Sequence, residues 1–496
     1  MAKSINHHRR QVQRAFDKAL RLAEGRKKRG LNEFERELCT SLLKLGRALV
    51  ALFLAQAVQR PRAASYKVGG ERFVVSRDSR TSKLGTLFGK VSFTRPVARR
   101  MGSPRGRCDL PVDRELGLCS GFSLGVVLAV TRLCAQMAYA SARTTFEQFC
   151  DWMPSPRAVL RMVDAVGGEA RAFMDQAAAP EDDGDVLVLQ VDAKGAPTIS
   201  SRERARRARP HRVKNGKNRR HHRRRRRHEY PRPRRTPGKK SKNANMAVVG
   251  VLYTLRSTDE GLDGPVNKRM VATFAGHRAL FEWLHAQAVK RGYGTGKFKH
   301  VHFLADGAKT IWKLQQEFFP DAEVCLDWYH VVEKLWPVAK CIHRKDRTKR
   351  VKWVEEQKKR LRSGSFDALM TELYVALEQT APTGPGNKHR RKVLTKTINH
   401  FDKNRKRMRY QRLRRLDLDI GTGVVEGAVR HLVGIRFDGP GMRWGNRRER
   451  LLHIRCVLIN GQWDEFASYL AASSQMRLPA QPIPAKPYDA KQRKAA

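Results

Sequence analysis

The chain has 496 residues, 41% of them hydrophobic, and carries 101 Lys and Arg against 47 Asp and Glu, a formal net charge of +54. That length predicts two to four domains, each with a core to bury. A charge so lopsided repels itself unless a polyanion neutralises it, which weighs against an ordinary basic enzyme and toward nucleic acid, with an anionic membrane surface or a ribosome as the other partners of that sign.

The eight cysteines, Cys39, Cys108, Cys119, Cys134, Cys150, Cys325, Cys341 and Cys456, include no Cys-x-x-Cys pair, which argues against a zinc ribbon or finger. Several lie in apolar helical stretches, where a reduced thiol acts as a small hydrophobe, and this suits a reducing compartment. The N-terminus, MAKSINHHRR, has no apolar signal core, and the most apolar stretch, residues 48–58, is too short to span a bilayer. The expectation is a cytoplasmic, nucleoid-associated protein with no membrane partner.

In chain order, residues 5–24 and 33–58 read as two helices. Leu38, Leu42, Leu45, Leu49 and Leu52 follow heptad spacing, which serves either a dimer seam or a helix packed on its own domain. Residues 68–100 read as a small β element, and 112–150 turn helical again. A short helix over 142–152, a turn at 153–156 and a second helix over 157–170, started by Ser155-Pro156, form a candidate helix-turn-helix. Any helical hairpin has the same pattern. The Ala- and acid-rich stretch 171–184 reads as a linker.

Strand candidates follow at 186–195, 246–254, 269–274, 300–308 and 322–330, with helices at 277–292 and 309–319. Three strands followed by strand–helix–strand units predict an α/β sheet of mixed direction. Between the first two strands, residues 201–243 hold 21 Lys and Arg against two Glu and almost no apolar side chain. Such a tract cannot bury a core and is expected to be disordered alone. Tethered beside the first strand, its arginines, Arg223, Arg224, Arg225, Arg226 and Arg227 among them, would neutralise phosphates of DNA or RNA. Residues 331–418 read as helical and basic, 421–471 as a turn-rich start, a helix, a Gly-rich loop and last helices, and 474–496 as a disordered tail.

Three acids stand where chemistry is expected. Asp192, Asp306 and Asp327 each close an apolar strand run, and strand-end carboxylates project into the crevice where open α/β sheets bind ligands. A single one would more simply cap a turn. Two on neighbouring strands suggest a site. Two-metal phosphodiester chemistry needs carboxylates around a metal pair about 3.5–4 Å apart. Glu426, near the start of the helix over 421–436, is a third acid, although spacing alone does not choose it over Glu449.

Four pieces stand in order: VDAKG (191–195), FLADGAKTIW (303–312), CLDWYHVVEKLW (325–336) and GVVEGAVRHLVGIRFDGPGMRWGNRRERLLHIR (423–455). Over about 185–465 the chain resembles the ISKra-type bacterial insertion-sequence transposases. It departs from their pattern in Ala193, where Gly is more usual, and in the Arg-rich tract. The resemblance implies an α/β ribonuclease-H-like core, a mixed five-stranded sheet with a helical insertion, behind an N-terminal mainly α region holding the candidate helix-turn-helix. The division it implies is 1–66 helical; 67–178 β element and DNA-binding helices; 179–330 first part of the core; 331–418 insertion; 419–473 second part of the core; 474–496 tail.

The resemblance also implies a DDE site in which Asp192, Asp306 and Glu426 are catalytic and hold two Mg2+ ions, with Mn2+ able to substitute. Asp327 and His330 match an Asp/Cys-x-x-His element beside the site, with Arg430 about one turn beyond Glu426. Arg436, Arg443 and Trp444 are candidate DNA contacts. Trp444 either stacks on a displaced base or packs the last helix onto the sheet. The partners implied are terminal inverted repeats and target DNA, bound by a homo-oligomer. The alternatives are a catalytically inactive basic DNA-binding protein and another ribonuclease-H-like nuclease, acting on Holliday junctions or RNA–DNA hybrids.

Overall fold

A computed structural model describes residues 4–24, 30–102, 108–208, 244–439 and 442–473. The chain divides into two compact units, one of residues 1–173 with 462–496, the other of residues 174–461.

The first unit begins with the helices Ile5–Glu24 and Leu31–Gln59, packed on each other. The second is longer than the sequence suggested. It contains an 18-residue window of mean hydropathy 1.7, enough by length and composition alone to cross a membrane, of which the stretch 48–58 is only a part. Leu54 of this helix packs with Leu84, Val91, Phe93 and Val112, while Leu42, Leu49 and Phe53 stay exposed.

The expected β element is a four-stranded antiparallel sheet in the order β1 (Ser65–Val68), β2 (Glu71–Thr86), β3 (Gly89–Arg100), β4 (Cys108–Asp109). Trp152 donates its indole N–H to the Thr86 carbonyl at 2.8 Å. It lies so close to Gly85 that a Cβ there would sit 2.5 Å from the ring. The helix–turn–helix pattern is present as Tyr139–Cys150 and Pro156–Gln176. Asp151 closes the first helix in the left-handed conformation, and Ser155 Oγ accepts the Ala158 N–H at 3.2 Å to start the second.

The second unit is mixed α/β. Its sheet has the order β7-β6-β5-β8-β9, with β5 (Val186–Pro197) at the centre, β6 (Ala244–Thr258) and β7 (Gly261–Thr273) on one side, and β8 (His300–Ala305) and β9 (Glu323–Leu326) on the other. β6 runs antiparallel to both β5 and β7, and β8 and β9 run parallel to β5. The residues dictate this. β5 is buried from Val186 through Val191, as a strand covered on both faces must be. The parallel pairs are joined through the crossover helices His277–Lys290 and Lys309–Phe318.

After β9 come the expected helices of the basic segment: Trp328–Ile342, Arg347–Ser363, Phe366–Glu378, Asn387–Asn404 and Tyr410–Arg415. Gly423–Val429 then packs back on β5 and β6, and Arg448–Ile459 on β7.

The stretch 171–184 is not a free linker. Its first part belongs to Pro156–Gln176. Beyond it Asp182 pairs with Arg256 at 2.7 Å, buried Asp183 lies 3.5 Å from buried Arg291, and Asp185 accepts the Ser257 N–H at 2.9 Å. The cations that hold these acids lie far along the chain, out of reach of any local reading.

Candidate functional site

Strand register brings the first two acids together. β5 and β8 pair from Val186↔His300 to Val191↔Ala305, so Asp192 and Asp306 are the next residues on adjacent parallel strands. Asp306 Oδ1 accepts the Ala308 N–H at 3.0 Å, the turn-capping role open to any strand-end Asp. Asp192 takes a 2.6 Å bond from the Ala193 N–H.

Gln190, two residues before Asp192 and therefore on the same face of β5, fixes the third acid. Its Oε1 accepts the Val425 N–H at 3.0 Å, which pins the start of Gly423–Val429 to the sheet and carries Glu426 to this edge. Burial raises the pKa of Asp192 above the ordinary carboxylate value. The charges of Asp306 and Glu426 raise it further, against the lowering effects of the Ala193 N–H and His330. Asp192 therefore feels both other acids, and His330 is a cation that partly offsets them. Glu449 is excluded from this edge. It bonds to Thr273, to the Phe274 N–H at 2.7 Å and to His453 at 3.1 Å, clasping Arg448–Ile459 to the end of β7.

Asp327 is fully buried, and all its acceptor capacity is used. Oδ1 takes the Thr422 N–H at 2.9 Å and faces Thr422 Oγ at 2.8 Å; Oδ2 takes the His330 N–H at 2.8 Å and His330 Nδ1 at 2.6 Å. A carboxylate with four acceptor sites filled is an organiser. It caps Trp328–Ile342, fixes the His330 ring and holds Thr422. Thr422 Oγ also lies 3.3 Å from Glu426 Oε1, and its single proton serves one carboxylate at a time. Against the upward push of burial, the bonds from His330 and Thr422 keep the Asp327 pKa below its usual value. The bond to Asp327 raises His330 to about 9, against partial burial, with Asp306 adding to the rise. His330 is thus a cation at neutral pH when no metal is bound.

Ligand atoms of Asp327, His330 and Glu426 lie within 4.8 Å of one another. Among the described residues this is the group that approaches so closely, rather than Asp192, Asp306 and Glu426. Asp327 is occupied by its four donors, so the oxygens open to a cation here are those of the other three acids.

Two further features escaped the sequence. Beyond Glu426 the helix continues as a π turn, Arg430–Gly434. Its displaced carbonyls at His431 and Leu432 accept from the buried Arg455 guanidinium, at 2.7 and 3.1 Å from Nε. Burial and the charge of Arg436 lower Arg455 to about 10. The second feature is His400 of Asn387–Asn404, whose Cε1 would lie 2.6 Å from a Cβ on Gly307. Only glycine beside Asp306 admits that approach. The space that Gly307 leaves beside Asp306 is taken by the His400 ring.

The other expected contacts divide. Arg430 is exposed at the start of the π turn, and Arg443 is exposed in the loop that follows. Trp444 and Arg436 are corrected: both are buried. Trp444 donates its indole N–H to the Phe437 carbonyl at 2.9 Å and its backbone N–H to Pro197, and the Arg436 guanidinium lies 4.7 Å from its ring centroid. Neither is available to a base or a phosphate without unpacking, and the packing role of Trp444 is the one observed. Arg223, Arg224, Arg225, Arg226 and Arg227 lie outside the described residues.

No protein-family model matches the chain, and no curated protein sequence matches it.

Proposed function

We propose that this protein is a DNA transposase of ribonuclease-H-like type that hydrolyses a phosphodiester at each element end and then joins the freed 3′-hydroxyl to target DNA. The observation that carries the reading is the register that sets Asp192 beside Asp306, with Asp192 responding to the charges of both Asp306 and Glu426. The central strand flanked by one antiparallel and one parallel neighbour supports it, and so does the formal net charge of +54. The four sequence blocks that resemble ISKra-type transposases supply the substrate.

Asp192, Asp306 and Glu426 would hold two Mg2+ ions, which supply an activated attacking oxygen and charge compensation for the leaving oxygen. The chain's own groups do the rest. Asp327 and Thr422 hold Glu426 and His330 in place; His330, a cation near the acids, offers its second ring nitrogen to a phosphate oxygen. Arg430 and Arg443 present exposed charge to the DNA backbone. We infer action in the bacterial cytoplasm, at the nucleoid, as a homo-oligomer that pairs two DNA ends.

The test is Mg2+-dependent nicking and strand transfer on DNA carrying the terminal repeats of the flanking element, with Asp192→Asn beside the natural chain. Equal activity in the two proteins would overturn the mechanism. Magnesium-independent binding with no cleavage by either would leave the inactive DNA-binding protein in its place.

A further inference from the structure

The helices after β9 do more than lengthen the chain between Asp306 and Glu426. Trp328–Ile342 and Asn387–Asn404 pack on each other, and each brings a histidine beside the acids, His330 on the first and His400 on the second. On the first helix, His330 and Lys334 are four residues apart and share a face. On the second, Lys396 and His400 are four apart and do the same. The His400 ring is seated against Gly307, next to Asp306. Lys334 and Lys396 both lie near enough to act on the His400 ring: burial first, and then their charges, lower its pKa to about 4, while Asp306 opposes them. His400 is therefore a neutral hydrogen-bonding ring within reach of two ammonium groups, seated beside Asp306. Among the described residues neither lysine makes an ion pair.

Lys334 and Lys396 stand on two packed helices, both within electrostatic reach of the His400 ring that is seated beside Asp306, so that an anion at that ring would meet both. We propose that Lys334, Lys396 and His400 form a phosphate-binding wall beside Asp306, taking a backbone phosphate of the nucleic-acid strand adjacent to the one being cut. The wall holds that strand so that the next phosphodiester falls at the acids. The inference rests on the reading of the acids as a phosphodiester site, and it adds the residues that grip the strand there.

The test uses the full-length chain and a fluorescein-labelled DNA duplex ending in a short single-stranded 3′ extension. Anisotropy is measured in EDTA, so that nothing is cut, over a range of KCl. Each phosphate contact contributes about 0.9 to the slope of log affinity against log salt. The paired change Lys334→Gln with Lys396→Gln is expected to reduce the slope by about one contact's worth. It should weaken binding at least tenfold, with the melting profile unchanged. His400→Gln, which keeps a neutral hydrogen-bonding group, should bind nearly as the natural chain does, and His400→Ala less tightly. Lys352→Gln with Lys359→Gln, on the exposed side of Arg347–Ser363, controls for lost charge. A natural slope in the Lys334/Lys396 variant, or an equal loss in the control, would overturn the wall. Failure of the natural protein to nick DNA with Mg2+ would count against the catalytic reading and leave this binding result standing by itself.

Discussion

Replacing Asp327 by Asn tests whether the organiser of the site is electrostatic or merely steric. The carboxylate is fully buried and faces four donors at 2.6–2.9 Å. An amide of the same shape keeps one oxygen and presents an NH2 on the other side, so a backbone N–H, of Thr422 or of His330, becomes a donor–donor contact whichever way the amide is turned, while the Thr422 hydroxyl or the neutral His330 ring can turn to accept. Stranding a buried backbone donor costs about 1–3 kcal/mol, and a loss of that size is expected here, since the His330 side chain is 44% exposed and its charge is screened by solvent. His330 loses the partner that raises it to about 9, and should titrate close to the ordinary value of about 6.5. The linkage has a definite sign. A histidine raised on folding adds stability that is whole below about 6.5 and is lost as pH climbs through about 9. Asp327, held below its usual value, adds stability that is lost as pH falls through its folded pKa. The natural chain, free of metal, should therefore lose stability between pH 7 and 10, and the variant should show that loss much reduced. Histidine Cε1–H resonances followed against pH, with urea unfolding at each pH, measure both effects. A His330 resonance that still titrates near 9 in the variant would refute the reasoning, as would superimposable unfolding curves over the alkaline range.

Asp192→Asn should reduce Mg2+-dependent nicking at least about a hundredfold, while raising the thermal midpoint of the metal-free protein. The raised pKa of Asp192 means that its ionised form is penalised on folding, a penalty absent at low pH and fully present above the folded pKa. A lower midpoint at pH 7 would contradict this. Glu449→Ala should cost about 1–3 kcal/mol, through the donors it strands at Thr273 and Phe274, yet leave Mn2+ binding measured by calorimetry intact; lost metal binding would move Glu449 into the site. Arg455→Lys should loosen the π turn after Glu426, because an ammonium lacks the planar fork by which Nε and Nη2 together grip the His431 carbonyl. Faster hydrogen exchange over residues 430–437 is the expected sign, and unchanged exchange would show that the turn holds itself.

Much of this was written in the sequence because the deciding signals were local. An apolar run that ends in an acid is a strand with a carboxylate at its tip, and Asp192 and Asp306 were readable in that way. The basic segment 331–418 lacked any alternating pattern and is helical. What escaped was settled by partners distant along the chain. Nothing near Glu426 or Glu449 says which faces the acids; Gln190 and Phe274 do, from more than 170 residues away. Trp444 looked open because its loop is flanked by glycines, and only Phe437 and Pro197 reveal that its polar hydrogens are already satisfied. Asp182, Asp183 and Asp185 looked like linker because their cations stand at Arg256, Arg291 and Lys299.

The central hairpin has a consequence for where the site is held. β5 ends its ladder at Pro197, and β6 begins opposite it at Ala244. The polypeptide thus departs and returns through a single doorway, and the rungs that align Asp192 are counted from there inward. The chain is braced where it leaves, since Thr198 bridges to Trp444 and Ile199 donates its N–H to the Trp444 carbonyl at 3.0 Å, so the frame that holds the carboxylates is anchored at its own exit.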